Sequence, residues 1–173
     1  EAEFLVSASR KQFEVRGDAR MFGLPSKLVF RSMPKESGGE ATLDVITAGS
    51  DLKQVVEIAG SLGITGFGGI EFSSITMDGI ADLAVRTRFP TGRKLTRSDV
   101  IVETDIIIQQ GQFSGLPIVG NASNADLVGR FSDSGTELSG TAILFGAPVD
   151  FVVTEDRLQD KLVFRANAPK AEG

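Results

Sequence analysis

Carboxylates are the only side chains here that could carry acid–base chemistry at neutral pH. The chain has no His and no Cys, which excludes Ser-His-Asp and Cys-His catalysis and Cys/His metal sites. Two carboxylates that converge across a groove can hydrolyse a glycosidic bond, one as an acid of raised pKa and one ionised. Six candidates lie on neighbouring predicted strands: Glu71, Asp78, Asp82, Asp99, Glu103 and Asp105. The alternative is an exposed strand face, since Glu103 and Asp105 alternate with Val102 and Ile106.

Five basic residues lie around a predicted turn at residues 90–92: Arg86, Arg88, Arg93, Lys94 and Arg97. Guanidinium forks suit a lipid phosphate or another anion, so Arg86, Arg88 and Arg93 form a candidate anion site. The alternative is a solvated turn whose acidic neighbours include Asp82 and Asp99. No residue pattern indicates a metal or a cofactor.

All 12 aromatic residues are Phe. Phe suits a wholly apolar lining because, unlike Tyr and Trp, it has no polar atom that needs a partner. The net charge of -5 and this aromatic set argue against a nucleic-acid partner. An apolar sheet face would favour lipid acyl chains by ~25 cal/mol per Å², whereas in a closed sheet the same residues are core. The candidate lipid-binding residues are Phe13, Phe30, Phe72, Phe151 and Phe164.

Alternation of apolar and polar residues predicts a mainly β fold. Residues 13–31 alternate on both sides of turn chemistry at residues 22–25, which predicts a β-hairpin. The Asp-Gly pair within residues 77–79 predicts another hairpin turn. At 41% hydrophobic and 24% charged residues, the composition is globular.

Helical spacing appears once, over about residues 51–62. Ser50 is the predicted N-cap, and Gly63 is the predicted stop. The predicted fold is therefore a curled antiparallel sheet, or an open barrel, of serial β-hairpins with one short helix.

An internal repeat relates residues 14–31 to residues 137–154. In the alignment of residues 14–25 with 137–148, Glu, Gly, Ala, Phe, Gly and Pro coincide. The repeat indicates an elongated sheet of serial hairpins. The alternative is that unrelated hairpins converge on Gly and Pro.

The order of predicted elements is a strand, a Phe-Gly-Leu-Pro turn, a returning strand and a helix ending near Leu62-Gly63. That order resembles the AsmA-like repeats of bacterial envelope proteins of the TamB and YhdP type. The resemblance covers about residues 13–166 and includes no catalytic motif. It implies a curled sheet with an apolar groove, phospholipid as cargo, a periplasmic or cell-envelope location, and membrane proximity through a larger parent protein.

Residues 1–4 resemble the remnant of a yeast secretion leader and a cloning site, so they are set apart from a single β-rich domain over residues 5–168 and a tail over residues 169–173. The first functional hypothesis is a non-enzymatic domain that holds or transfers lipid. The alternatives are a carboxylate-dependent enzyme, such as a glycoside hydrolase or an isomerase, and an adhesive module with a free edge strand.

Overall fold

A computed structural model describes residues 3–34, 39–67, 70–117, 119–159 and 161–167. In chain order, its strands and helix are β1 (Glu3–Ala8), β2 (Phe13–Met21), β3 (Leu24–Ser32), β4 (Glu40–Asp51), α1 (Leu52–Ser61), β5 (Gly66–Phe67), β6 (Ile70–Glu71), β7 (Thr76–Pro90), β8 (Ile101–Leu116), β9 (Gly120–Ser132), β10 (Gly135–Leu144), β11 (Ala147–Asp156) and β12 (Lys161–Asn167). Short 3₁₀ turns occur at Phe72–Ser74 and Arg97–Asp99.

Ten of the strands form one antiparallel sheet in the order β1-β2-β3-β4-β7-β8-β9-β10-β11-β12. Strand neighbours in the sheet are neighbours in sequence except where α1, β5 and β6 intervene, and β5 and β6 pair separately. The order is linear, so the sheet is not closed and β1 and β12 are its edges. The prediction of a mainly β, antiparallel fold of serial hairpins with one short helix is confirmed for the described residues.

Helix α1 begins one residue later than predicted. The Asp51 carboxylate accepts the Gln54 N–H at 3.2 Å, so Asp51 is the N-cap and the prediction of Ser50 was wrong. Ser50 is instead buried near the end of β4. The helix ends as predicted, because Gly63 adopts φ 91° and lets the chain leave the last turn.

The predicted hairpin turn at residues 77–79 is also wrong, because β7 runs straight through it. Gly79 has φ 136°, and a Cβ there would lie 3.0 Å from the Gly111 Cα. Asp78 accepts the N–H of Gly79 at 2.8 Å. Gly79 is therefore needed because the backbone of β7 lies close to the backbone at Gly111, and not because the chain turns there.

The chain divides into two compact units. Unit 1 comprises Glu1–Ala48 and Leu83–Thr104, and unit 2 comprises Gly49–Asp82 and Asp105–Gly173. Unit 2 holds most of the buried apolar side chains, including Leu52 and Val55 of α1 and a cluster of Ala122, Ala125, Leu127 and Ala142. In unit 1 the buried apolar residues are Leu24, Ala41, Leu83 and Val85.

Each unit contains one of the two hairpins that the repeat relates. In β2–β3, Gly17 lies opposite Leu28, and in β10–β11, Gly140 lies opposite Phe151 at the aligned position. The turns Phe22-Gly23 and Phe145-Gly146 both have positive φ at both residues, as in a type I′ turn. The aligned segments therefore share register and turn geometry.

The first described residues belong to the large sheet, although residues 1–4 are predicted to lie outside the domain. Glu3 and Phe4 pair with Asp18 and Gly17 of β2. Residues 169–173 lie outside the described residues. Among those described, no helix has the length and hydropathy needed to cross a bilayer.

Candidate functional site

One face of strands β1–β4 in unit 1 carries no charged side chain. Residues opposite one another on neighbouring strands project to the same side of a sheet, and successive residues project to opposite sides. The register of the three strand pairs thus defines a surface, here named the apolar face, formed by Phe4, Val6, Ala8, Phe13, Val15, Gly17, Ala19, Met21, Leu24, Ser26, Leu28, Phe30, Ser32, Ala41, Leu43, Val45 and Thr47.

Part of the apolar face is accessible. Phe4 is 51% exposed, Val6 59% and Phe13 42%, while Val15 and Phe30 are half-buried. The members that are buried are Leu24, Ser26, Ala41 and Thr47. Phe13 and Phe30 meet edge to face, with ring centroids 6.3 Å apart. Two predicted lipid-binding residues therefore lie together on a partly exposed surface.

The opposite face of the same strands carries the charge. The Arg31 guanidinium bridges Glu14 at 2.8 Å and Asp44 at 3.0 Å, and Arg86 also donates to Asp44, at 2.7 Å. Hydrogen bonds from Arg16 and then Arg31 hold the pKa of the Glu14 carboxyl below its ordinary value. Strands β1–β4 thus have one charged and one uncharged face.

The predicted anion site contains no unpaired guanidinium. Arg86 bonds Asp44, Arg88 donates to Glu103 at 2.8 Å, and Arg93 donates to Asp99. A carboxylate beside each arginine offsets the charge that would attract a ligand there. Anion binding at these three residues stays a prediction.

All six candidate carboxylates accept structural hydrogen bonds, and Glu71 accepts its bond from the Ser73 hydroxyl at 3.4 Å. Asp82 accepts the Gly49 N–H at 2.7 Å, Asp105 accepts from Arg130 at 2.9 Å, and Asp78 and Glu103 are bonded as described above. Asp99 accepts from the Thr96 hydroxyl and N–H, and these bonds, with Arg93 nearby, lower the pKa of its carboxyl. No bond joins two of the six candidates among the described residues.

The sixth carboxylate, Glu71, lines a cleft of about 660 Å³ in unit 2. Val56 and Gly60 of α1 contribute to this cleft together with Phe72, another predicted lipid-binding residue. The other carboxylate in the lining belongs to Glu57. The enzymatic alternative stays a prediction, and these two glutamates are where it would reside.

The last two predicted lipid-binding residues lie in unit 2. Phe151 and Phe164 stack with centroids 6.4 Å apart. Phe151 packs against the buried alanine cluster, whereas Phe164 on the edge strand is 58% exposed. The five predicted residues therefore divide into two pairs, one in each unit, and Phe72 in the cleft.

Sequence reasoning missed Phe4 and Val6, the most exposed large side chains of the apolar face. It missed Phe4 because residues 1–4 were set apart, although Phe4, Val6 and Ala8 alternate with Leu5 and Ser7. That spacing could have indicated a strand with one apolar face. The signal is weak because Leu5 is apolar at a position where the alternation requires a polar residue.

No protein-family model, curated protein or solved structure matches this chain. Within the described residues, no group of three or more acidic side chains is placed to hold a metal ion. The class that the geometry defines is an open antiparallel sheet with a partly exposed apolar face.

Proposed function

We propose that this protein binds lipid acyl chains on the apolar face of unit 1. The single observation that carries the proposal is the complete absence of charge from that face while Phe4, Val6 and Phe13 remain 42–59% exposed. Large exposed apolar patches in proteins commonly mark ligand, membrane or partner sites.

The dimensions of the apolar face suit an extended chain. The nine residues of β2 span about 27 Å, and four strands side by side span about 15 Å between the outer strand axes. Burial of apolar area stabilises a bound chain by ~25 cal/mol per Å². The resemblance to AsmA-like repeats implies the same ligand and a cell-envelope location, and both remain part of the proposal.

The test compares the two faces of the same strands with an uncharged ligand, dodecanol. The variant Val6→Asn/Phe13→Asn alters the apolar face, and the control Leu5→Asn/Ile46→Asn alters the charged face, where Leu5 is 72% and Ile46 43% exposed. We expect about tenfold weaker dodecanol binding in the first variant only, which corresponds to 1.4 kcal/mol.

The readout is displacement of an uncharged fluorescent probe, with thermal unfolding to show that both variants fold. Equal affinity in the two variants, or no dodecanol binding by the unaltered protein, would contradict the proposal.

A further inference from the structure

The loops at one end of the apolar face are basic. Ala8, Phe13, Ser32 and Ala41 form the last rung of β1–β4 at that end. The β1–β2 turn lies directly beyond this rung. It contains Arg10 and Lys11, both exposed.

A second basic segment lies at the same end. The N–H of Thr91, just after β7, donates to the carbonyl of Gly39, just before β4. The connection from β7 to β8 therefore begins beside the start of β4, and it carries exposed Arg93, Lys94 and Arg97. Because Asp99 pairs with Arg93, we name the other four cations of the two segments the basic rim: Arg10, Lys11, Lys94 and Arg97.

Among the described residues, two carboxylates lie close in sequence to the segments of the basic rim or to the start of β4 beside them. Asp99 pairs with Arg93 and completes the capping box of its own 3₁₀ turn, and Glu40 is exposed at the start of β4. The balance of the whole unit has the same sign: unit 1 has 12 Lys and Arg against 9 Asp and Glu, in a protein whose net charge is -5.

We propose that the ligand of the apolar face is an anionic amphiphile whose carboxylate or phosphate head group lies at the basic rim. This inference rests on the proposed function, because the chain of the ligand lies on the apolar face. Lys and Arg recognise phosphate and carboxylate through charge-assisted hydrogen bonds. The rim thus gives the bound chain a direction, with its head beyond Phe13 and its tail towards the exposed Phe4.

The test compares ligands of one chain length and different heads: dodecyl phosphate, dodecanoate, dodecanol and dodecyltrimethylammonium. We expect both anions to bind about tenfold more tightly than dodecanol at low salt, because several exposed charge pairs act together, and the cation to bind more weakly than dodecanol. Salt should remove the advantage of the anions by screening.

A matched pair of variants locates the effect. Arg10→Gln/Lys11→Gln/Lys94→Gln should reduce the affinity for dodecyl phosphate to that for dodecanol. Lys27→Gln/Lys161→Gln/Arg165→Gln removes the same number of exposed cations elsewhere and should leave it unchanged. Equal losses in the two variants, or equal binding of all four ligands, would overturn the head-group assignment while leaving acyl-chain binding intact.

Two further outcomes distinguish a failure of the head-group assignment from a failure of acyl-chain binding. Absence of binding by all four ligands would overturn the proposed function as well. Inorganic phosphate should not displace dodecyl phosphate at equal concentration, because it lacks the chain. Displacement at equal concentration would show a free-phosphate site and overturn the inference.

Discussion

The two units contain the same hairpin but use it differently. In unit 2, Phe151 of the hairpin packs against a buried alanine cluster, and the unit has 6 Lys and Arg against 14 Asp and Glu. In unit 1, the aligned Leu28 lies on the apolar face and is half-buried, as Phe151 is, and basic residues are in excess. The comparison indicates that the hairpin of unit 2 packs against a buried cluster, whereas the hairpin of unit 1 contributes to a partly exposed face.

The largest expected difference between the units concerns core packing. Leu52→Ala in α1 removes a side chain that is fully buried and should cost about 2–5 kcal/mol of unfolding free energy. Leu28→Ala on the apolar face should cost less, about 1 kcal/mol, since that side chain is only partly buried. Urea unfolding of both variants measures the difference, and equal costs would break the distinction between core and surface.

The next largest difference should come from alanine substitutions at the two aligned glycines of the repeat, Gly17 and Gly140. A Cβ on Gly140 would lie 2.1 Å from the Asp126 carbonyl oxygen in the inner strand β9, and at φ 148° the substitution is strained besides. Gly140→Ala should therefore destabilise the protein by about 2–3 kcal/mol.

The matching Cβ on Gly17 would lie 2.2 Å from the Glu3 carbonyl oxygen. Strand β1 is at the sheet edge and can shift, so Gly17→Ala should cost only about 1 kcal/mol. Thermal unfolding of the two alanine variants side by side provides the comparison. A larger loss at Gly17 would show that β1 is held as firmly as an inner strand.

The two hairpin turns should respond alike, because they share one conformation. Phe22 and Phe145 have φ 54° and 53°, a region that Asn adopts more readily than Phe. Their side chains are 60% and 78% exposed, so little packing is lost on substitution. Phe22→Asn and Phe145→Asn should each stabilise the protein by about 1 kcal/mol. A loss of stability in either variant would reveal contacts made by that phenyl ring.

The smallest expected effect is a pH dependence at Glu14. Because the folded-state pKa of Glu14 lies below its ordinary value, ionised Glu14 stabilises the fold above that ordinary value, and this contribution disappears as the pH falls through the folded-state pKa. Glu14→Gln should lower Tm at pH 7 and have less effect at pH 3. Glu137→Gln, at the aligned and exposed position of unit 2, is the control and should change Tm little at either pH.

Alternation and turn chemistry were sufficient to predict most of the sheet. The hairpin of residues 13–31 appears as β2 and β3, because local periodicity and a local turn determine both. The prediction of a turn at Asp78-Gly79 was wrong because Gly79 permits the close approach of the backbone at Gly111, which is distant in sequence. The N-cap was displaced to Asp51 because β4 continues through Ser50.

The candidate site was predictable only in part. Phe13 and Phe30 could be assigned to one face by alternation, and their contact follows from the diagonal register of β2 and β3. The basic rim depends on which loops meet at one end of the strands. Arg10 and Lys94 are far apart in sequence, and sheet order alone brings their loops to the same end.

Photo-crosslinking tests the central claim most directly. A long-chain fatty acid with a diazirine in its chain is irradiated with the unaltered protein, and the labelled peptides are mapped by mass spectrometry. The account predicts labels on the apolar face, between Phe4 and Thr47. Labels confined to residues 120–167 or to the cleft at Phe72, or no labelling at all, would contradict it.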